Sequence, residues 1–349
     1  MTTIAPNDAN IWYSPGCWDV TSTRAMTINY GARIKAVISS APADLVAVFT
    51  LAGAETRRAI IEYRVNEGPW VRTLISANTP LPLPQSRTWP VTTVEIAFEW
   101  SGSGLSGKWT NQTYAFAFAG FSSASTITTR PAAHLPSWLL AVGDSLSIGV
   151  LALTPSVPDA AVTPFLVNSP RLGWGPLLAE ALGMEAGVQG FGGVGLSRSG
   201  DDSVPAFGTL FGNLWNGKPA TYSTAPALIA FMPGTNDSAG TDAAVTAAAV
   251  SWLNAALTKF PDTPIALIRN LRGIKAAAIS AAIPLCSNPD AVTWIDTTGW
   301  NTSDSSDGYH PYGYSYTVDV VPRLAADIAP LLTPAPANER LRWSGTAWV

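Results

Sequence analysis

The chain has 349 residues, 47% of them hydrophobic and 13% charged, which is enough apolar material for a sizeable core and excludes extensive disorder. Its net charge of −4 and its lack of a Lys/Arg cluster argue against a nucleic-acid partner. No run of about 18 apolar residues predicts a membrane span, and the N-terminal residues do not resemble a secretory signal, so the compartment stays open between extracellular, virion-attached and cytoplasmic.

The first third of the chain is typical of short strands separated by turns. Several segments alternate apolar and polar residues with a period of two, for example Thr93–Phe98. The predicted strands are Met26–Ile28, Ile34–Ile38, Leu45–Leu51, Ala59–Val65, Trp70–Ile75, Val91–Trp100 and Tyr114–Phe121. This pattern favours an all-β sandwich, similar to a jelly roll, over residues 1–122.

A Ser-, Thr-, Ala- and Pro-rich stretch over residues 123–136 predicts a linker. After it, strand and helix patterns alternate. The predicted strands are Ser137–Val142, Ala227–Met232, Pro264–Ile268 and Ala291–Ile295, and the predicted helices are Gly175–Leu182, Ala243–Phe260 and Val318–Leu332. This alternation predicts an α/β domain with a parallel sheet over residues 137–332.

Two further segments do not fit the alternation. Leu151–Leu172 carries four prolines and too little periodicity for a helix or strand, and a loop of this length is often a binding loop or lid. The tail, residues 333–349, is polar apart from Trp343 and Trp348, and we interpret it as a small hairpin or an interaction tag.

Cysteine and histidine are both scarce. Cys17 and Cys286 match no metal-ligand spacing, and we predict two buried thiols rather than a disulfide. The two histidines are His134 and His310, so histidine-based chemistry must use one of them. We interpret His134, which lies in the proline-flanked linker, as a structural or solvated residue.

Ser145 is the first candidate for chemistry, because Gly143-Asp144-Ser145-Leu146 directly follows a predicted strand. Parallel sheets present ligands at the carboxyl ends of their strands. We expect the serine at a helix N-terminus, where free N–H groups favour a developing negative charge. A hydroxyl attacks well only with a base within hydrogen-bond reach. Taken alone, the serine could equally be a helix N-cap.

Asp307 and His310 are the second candidates, in Asp307-Gly308-Tyr309-His310-Pro311 before the last predicted helix. Their spacing lets the carboxylate reach the δ nitrogen of the imidazole and leaves the ε nitrogen to accept a serine proton. A lone Asp-x-x-His could also be a solvated surface turn. Asp304 is the nearby competitor for the carboxylate role.

Two more segments follow predicted strands or carry glycines. Asn236, in Gly234-Thr235-Asn236-Asp237, could donate its amide to an oxyanion, or the segment could be an Asx turn. Gly190–Gly195 has the G-x-G-x-x-G spacing of dinucleotide sites. That interpretation is disfavoured, because the run does not follow the first strand of a clear βαβ unit and no acidic residue lies about 20 positions on. A bare backbone N–H facing a cleft explains the glycines as well.

In this order, the four segments resemble the blocks of the SGNH hydrolases, also called GDSL esterases. Gly143–Leu146 matches the first block, Gly234–Asp237 the third and Asp307–Pro311 the last. Gly190–Gly193 resembles the second block, with Gly193 as the preferred glycine and Gly190 and Gly192 as alternatives. The spacing of Asp304 to His310 does not match the family pattern.

The resemblance covers roughly residues 137–332 and implies a flavodoxin-like three-layer parallel sheet. It implies Ser145 as nucleophile, His310 as base, Asp307 as the residue that orients it, and an oxyanion hole from the Ser145 and Gly193 N–H groups and the Asn236 side chain. The implied reaction is ester hydrolysis through an acyl-enzyme, without a metal or cofactor.

A β-rich module ahead of such a domain looks like two-domain carbohydrate esterases with an N-terminal jelly roll. This implies hydrolysis of short-chain esters, acetyl above all, and an acetylated glycan or other small ester as substrate. The aromatic residues predicted to contact it are Trp174, Phe191, Trp215 and Tyr309. The alternatives are a lipase-like or aryl esterase, and a glycan-binding or adhesion protein with a vestigial hydrolase domain. A virion-attached esterase acting on cell-surface glycans is a further hypothesis.

Overall fold

The computed structural model describes residues 1–51, 59–75, 80–83, 89–101, 109–110, 115–153, 167–300 and 307–332. The strands within them are β1 (Thr2–Ile4), β2 (Trp12–Tyr13), β3 (Asp19–Val20), β4 (Ala25–Thr27), β5 (Arg33–Ala41), β6 (Val46–Leu51), β7 (Ala59–Val65), β8 (Val71–Ile75), β9 (Leu81–Pro82), β10 (Trp89–Ser101), β11 (Phe116–Ser123), β12 (Thr128–Arg130), β13 (Trp138–Gly143), β14 (Glu185–Gly190), β15 (Asn213–Trp215), β16 (Lys218–Pro219), β17 (Leu228–Met232), β18 (Ile265–Ile268) and β19 (Val292–Ile295). The helices are α1 (Trp174–Ala181), α2 (Phe207–Leu210), α3 (Asp242–Lys259), α4 (Ala276–Ser280), α5 (Gly313–Ser315) and α6 (Val321–Ile328), with a π-helical segment at Tyr316–Val320 between the last two.

The first twelve strands form two antiparallel sheets around a common core. One has the order β3-β4-β11-β6-β9 with β1 on β11, and the other the order β12-β5-β10-β7-β8 with β2 on β5. Alternate residues point inward, as in β5, where Ile34, Ala36 and Ile38 are buried in a core that draws on both sheets. The seven strands predicted in this part of the chain are all present, β7 with the predicted ends and the other six with shifted ends, which confirms its β-rich character.

The predicted linker contains a strand. Thr128–Arg130 pairs as β12 with β5, at the edge of one sheet. The hydroxyl of Thr129 donates to Asp8 and accepts from Asn10, both at 2.9 Å. Three residues are too few to show a period of two, and their Thr-rich composition is typical of a loop, so the pattern does not predict this strand.

The second half is built on five parallel strands in the order β14-β13-β17-β18-β19. In chain order this is 2-1-3-4-5, so the winding direction reverses after β14. Such a reversal opens a crevice at the carboxyl ends of the central strands. Strands β13, β17, β18 and β19 correspond to the four predicted strands, and the predicted parallel sheet is confirmed.

Side chains of the parallel sheet lie in two cores that both include helix residues. Leu139 and Ala141 of β13 lie in a core with residues of α1 and α6. Leu140 and Val142 lie in a second core with residues of α2, α3 and α4. Burial on both faces explains why β13 is apolar throughout rather than alternating.

Helix α3 shows how sequence and packing agree in this half. It begins after Thr241, whose hydroxyl accepts the N–H of Ala244 at 3.2 Å, a common N-cap arrangement. The fully buried Trp252 stacks on Phe231 of β17, with ring centroids 3.7 Å apart. These contacts fix α3 on the sheet next to the strand that precedes Asn236.

Strand β14 is absent from the sequence-based prediction. Its residues, Glu185–Gly190, include two glycines and a single β-branched side chain, so they carry little strand preference. Parallel pairing with β13, from Trp138 opposite Glu185 to Gly143 opposite Gly190, determines their conformation instead. The glycine run therefore begins at the carboxyl end of β14, which pairs with β13, the strand that Ser145 follows.

A buried ion cluster joins the two halves. Glu62 on β7 and Glu99 on β10 are both buried, and Nη1 of Arg72 on β8 lies 3.2 and 3.4 Å from their carboxylates. Arg171 pairs with Glu62, and the hydroxyl of Ser169 donates to Glu99 at 2.9 Å. The β half thus holds the C-terminal end of the predicted lid segment, which contains Ser169 and Arg171.

We expect Glu99 to make the folded protein less stable as the pH rises. Burial, together with repulsion from Glu62, raises the pKa of Glu99 to about 8 from its ordinary 4.5, although Arg72 opposes this. Between these values the folded chain keeps a proton that the unfolded chain has lost, so the free energy of unfolding falls with pH. The isosteric Glu99→Gln should flatten this decline in urea unfolding measured from mildly acidic to mildly alkaline pH. Equal slopes for both proteins would contradict the assignment.

Several smaller predictions can be compared with the structure. Cys17 and Cys286 are both unpaired and buried, which confirms the predicted thiols. His134 is exposed and stacks on Trp12 with ring centroids 5.8 Å apart, as expected for a structural or solvated residue. The described helices are all too short or too polar to cross a membrane. Residues 154–166 of the predicted lid and the tail 333–349 lie outside the described residues.

Candidate active site

Ser145 lies in a tight turn at the carboxyl end of β13, inside the parallel sheet. Oδ1 of the buried Asp144 accepts the N–H of Leu146 at 3.0 Å, and the N–H of Val150 donates to the carbonyl of Ser145 at 3.2 Å. The hydroxyl of Tyr316 donates to the carbonyl of Leu146 at 3.2 Å, which ties the turn to the last helical segment. The serine is therefore held by backbone contacts on both sides.

The prediction that Ser145 starts a helix is wrong. Residues 145–153 form successive turns, and within the described residues the first α-helix after them begins at Trp174. Gly149 and Leu151 adopt positive φ angles of 56° and 58°, which a right-handed helix does not tolerate. Ser145 therefore lies in a turn and not at the N-terminus of a helix.

The segment 168–173 is hydrogen-bonded to this turn. The N–H of Ser169 donates to the carbonyl of Gly149 at 2.9 Å, and Oδ1 of Asn168 accepts the N–H of Leu151 at 2.8 Å. A Cβ on Gly149 would collide with the carbonyl of Ser169, so glycine is needed for space as well as for φ. Arg72 of the β half donates to the carbonyl of Asn168 at 2.6 Å, so contacts run from the β half to the turn of Ser145.

Asp307, His310 and Ser145 form one hydrogen-bonded line. Oδ2 of Asp307 lies 2.6 Å from Nδ1 of His310, and Nε2 of His310 lies 2.8 Å from Oγ of Ser145. Oδ1 of Asp307 also accepts the N–H groups of Tyr309 and His310, at 2.9 and 3.0 Å, which closes the turn and aims the ring. The structure thus brings Ser145 together with the Asp307–His310 pair, which lies 165 positions further along the sequence at His310. The competing Asp304 lies outside the described residues.

The electrostatics of this line favour an ionised Asp307. Partial burial opposes ionisation, but the hydrogen bonds from the His310 ring and from two backbone N–H groups outweigh it, and the pKa of Asp307 lies below its ordinary value. An ionised carboxylate accepts the Nδ1 proton and leaves Nε2 with its lone pair toward Ser145. Ser145 is largely buried, with 8% of the residue exposed.

Asn236 lies at the carboxyl end of β17, next to β13 in the sheet. Its Nδ2 donates to the carbonyl of Val194 at 3.0 Å, which leaves the second N–H of the amide for another acceptor. The neighbouring Asp237 is buried and accepts the N–H groups of Leu196 and Ser197, both at 2.8 Å. Asn236 and Asp237 therefore both hold the glycine loop in place. The position of Asp237 next to Asn236 in the sequence could have suggested this role.

Gly193, Gly192 and Gly190 occupy different parts of that loop. Gly190 ends β14 opposite Gly143, and Gly192 and Gly193 follow it. Gly193 has a φ of +72°, and a Cβ there would lie 2.9 Å from Oδ1 of Asp201, so glycine is required. The loop is followed by turns rather than by a helix, unlike a dinucleotide site. The assignment of Gly193 to the oxyanion hole stays a prediction.

Three of the four aromatic residues predicted to contact substrate are buried. Trp174 and Phe191 are 0% exposed and Trp215 is 3% exposed, and all three lie in the two cores that flank the parallel sheet. Their closeness in sequence to the glycine loop and lid does not decide which way their side chains point. Tyr309 is 49% exposed, and its ring packs against the guanidinium of Arg272.

Asn270 and Arg272 belong to the site's surroundings and are absent from the sequence-based prediction. They follow β18, whose carboxyl end lies at the same edge of the sheet as those of β13 and β17. Nδ2 of the buried Asn270 donates to the carbonyl of Pro233 at 3.0 Å, just before the Asn236 segment. Their position directly after a predicted strand could have indicated that they lie near the site.

Comparison with known proteins identifies the fold. No family model and no curated protein matches the sequence. A family two carbohydrate esterase from Cellvibrio japonicus superimposes with a TM-score of 0.77 at 18% identity, covering 95% of this chain and 98% of that one. The acetyl xylan esterase Est2A from the rumen bacterium Butyrivibrio proteoclasticus gives 0.73 at 14%, covering 95% and 99%. The salicylyl-acyltransferase SsfX3 from a tetracycline biosynthetic pathway gives 0.66 at 15%, covering 96% and 100%.

At these identities the likeness establishes the fold. The chain has the fold of the family two carbohydrate esterases along most of its length, and the resemblance to SGNH hydrolases is confirmed at that level.

Proposed function

We propose that the protein is a serine esterase that removes acetyl groups from a carbohydrate. One observation carries the proposal: Asp307, His310 and Ser145 form a continuous hydrogen-bonded line at the carboxyl edge of the parallel sheet. Solved proteins that share the fold over most of the chain include carbohydrate esterases, which supports the same reaction class here.

The geometry supports a two-step mechanism. His310 accepts the proton of the Ser145 hydroxyl through Nε2 while Oγ attacks the ester carbonyl. The resulting imidazolium is stabilised by Asp307 and donates its proton to the leaving alcohol as the tetrahedral intermediate collapses. Water then attacks the acyl-enzyme by the same sequence of proton transfers, releasing acetate and restoring Ser145.

The oxyanion would be held by the N–H groups of Ser145 and Gly193 and by the side chain of Asn236. We expect Asn236→Ala to lower kcat by about 10²–10³, the usual cost of losing one such donor, with a smaller change in KM. Steady-state kinetics on a chromogenic acetyl ester measures the effect. The isosteric Asn236→Asp lacks the donor and adds a repelling charge, so its loss should be at least as large. Wild-type kcat in both variants would remove Asn236 from the oxyanion hole.

The acyl group and the substrate class can be tested together. Acetate release from a panel of acetylated polysaccharides should be detectable, and acetyl esters of a chromogenic alcohol should be hydrolysed faster than octanoyl esters. A preference for octanoyl esters would favour the lipase-like alternative. Hydrolysis of neither, with retained glycan binding, would favour a vestigial hydrolase domain.

Acyl transfer is a second candidate, because an acyl-enzyme can react with an alcohol instead of water. One protein with this fold is a salicylyl-acyltransferase, which makes the distinction relevant. Adding sugar alcohols to the chromogenic assay and separating the products decides between them. An esterase gives acetate as the main product, whereas a transferase gives the acetylated acceptor.

We also propose a finer architecture. A jelly-roll-like sandwich spans residues 1–122, a linker that carries β12 spans 123–136, a flavodoxin-like three-layer domain spans 137–332, and a tail spans 333–349. The shared core of the two antiparallel sheets supports the first assignment. The strand order 2-1-3-4-5 and the helix-containing cores on both faces support the third.

A further inference from the structure

A rigid turn after β18 presents Arg272 at the edge of the sheet where Ser145 lies. Asn270, at the base of this turn, is 0% exposed, and its side chain makes three hydrogen bonds. Nδ2 donates to the carbonyls of Pro233 and Ile274 at 3.0 and 2.8 Å, and Oδ1 accepts the N–H of Ile274 at 3.1 Å. The turn is therefore fixed against the segment that leads into Asn236.

Two residues of this turn have a left-handed backbone conformation. Gly273 has a φ of +68° and Lys275 a φ of +58°. Left-handed backbone is uncommon for residues other than glycine and is energetically unfavourable for them. A fully buried asparagine and a left-handed lysine together hold one exposed side chain, Arg272, in a defined place.

Arg272 packs on the ring next to the general base. Its guanidinium lies 4.6 Å from the ring centroid of Tyr309, which directly precedes His310 in the Asp307–His310 turn. Such a cation–π contact orients the guanidinium without using its N–H donors. Tyr309 is exposed, so both members of the pair face solvent beside the reacting groups.

The neighbouring cations of this turn have carboxylate partners, and Arg272 differs from them. Arg269 lies 3.6 Å from Asp296, and Lys275 lies 2.7 Å from Asp242. Within the described part of the chain no carboxylate pairs with Arg272. Its full charge and its planar set of donors are thus available to a ligand, and that geometry matches a carboxylate in a bidentate manner.

We propose that Arg272, oriented by Tyr309, binds the carboxylate of an acidic sugar, so that the preferred substrate is an acetylated glycan containing uronic acid. This inference rests on the proposed ester hydrolysis for its kinetic consequence. The chain itself carries a net charge of −4, and a cation beside His310 offsets the local repulsion of an anionic sugar.

A matched pair of substrates tests the preference directly. Acetylated methyl galacturonoside and acetylated methyl galactoside differ by a carboxylate in place of a hydroxymethyl group. We expect a higher kcat/KM for the acidic ester, and Arg272→Gln should lower that value by about 10- to 100-fold, the effect of losing a charged hydrogen bond. Hydrolysis of 4-nitrophenyl acetate, which has no carboxylate, should change much less than hydrolysis of the acidic ester. Arg272→Lys keeps the charge without the fork and should restore part of the loss.

Arg24→Gln is the control for net charge, because Arg24 is an exposed arginine of the β half that is distant in sequence from the site. It should leave both kcat/KM values unchanged. The acidic preference of the wild type should also weaken as salt is raised, since the ion pair is exposed. Equal kcat/KM for the two esters, or equal behaviour of Arg272→Gln and Arg24→Gln, would overturn the proposal.

A binding measurement separates this proposal from the proposed esterase activity. Calorimetry on Ser145→Ala, with unacetylated oligogalacturonate and a neutral galactose oligomer, requires no turnover. Tighter binding of the acidic oligomer, lost in the double variant with Arg272→Gln, supports the site even if no ester is hydrolysed. Equal binding of both oligomers refutes it even if the protein proves to be an active esterase.

Discussion

Ser145→Ala should lower kcat toward acetyl esters by about 10⁶-fold, which is the scale of losing the nucleophile of a serine triad. The hydroxyl of Ser145 is the group that Nε2 of His310 contacts, at 2.8 Å, and alanine leaves the ring with nothing to activate. Only the oxyanion donors and substrate binding would remain, and these retain about 10³–10⁴ over water in related triads. Steady-state rates on a chromogenic acetyl ester, corrected for the rate without enzyme, measure the loss.

Ser147→Ala is the matched control. Its hydroxyl lies two residues on in the same turn and is buried, and no hydrogen bond to it occurs within the described residues. Removing an unpaired buried hydroxyl costs little. We expect activity within a few-fold of the wild type and similar thermal stability. Substantial activity in Ser145→Ala, or its loss in Ser147→Ala, would point to a different nucleophile.

Asp307→Asn should lower kcat by about 10⁴-fold, because an amide no longer fixes the tautomer of the histidine. Asp307 accepts the Nδ1 proton of His310 at 2.6 Å and two backbone N–H groups through its other oxygen. An asparagine can keep the backbone bonds through its carbonyl while presenting N–H groups to the ring. The imidazole would then hold its proton on Nε2, facing Ser145, and could not act as a base.

The competing carboxylate, Asp304, provides the comparison for this variant. If Asp307 is the orienting residue, Asp304→Asn should keep nearly full kcat while Asp307→Asn loses it. Thermal unfolding of both variants checks that the turn is intact, since the asparagine at 307 retains an acceptor for the Tyr309 and His310 N–H groups. A larger loss at position 304 would reverse the assignment.

The candidate triad was predictable because each part of it is marked by local sequence. Ser145 and Asn236 follow apolar strands, and the carboxyl ends of parallel strands meet at one edge of a sheet. Asp307 and His310 are close enough in sequence for their mutual hydrogen bond to follow from spacing alone. The contact between His310 and Ser145 needs the tertiary fold, but the order of the segments already indicated it.

Other features depend on contacts that no local pattern marks. The cluster of Glu62, Glu99, Arg72 and Arg171 comes from three strands and a short 3-10 helix, and each residue alone looks like an ordinary surface charge. Similarly, Phe191 lies within the glycine loop, yet its ring points into a core rather than the crevice. Side-chain direction in loops is set by packing, so sequence position could not reveal it.

The central claim is that His310 activates Ser145, and covalent labelling with a sulfonyl fluoride tests it most directly. Such reagents modify a serine only when a neighbouring base removes its proton. Mass spectrometry of the intact chain and its peptides should show one adduct, on the peptide containing Ser145, that is absent in His310→Ala and Ser145→Ala. An unlabelled wild type, or an adduct that persists in His310→Ala, would contradict the account.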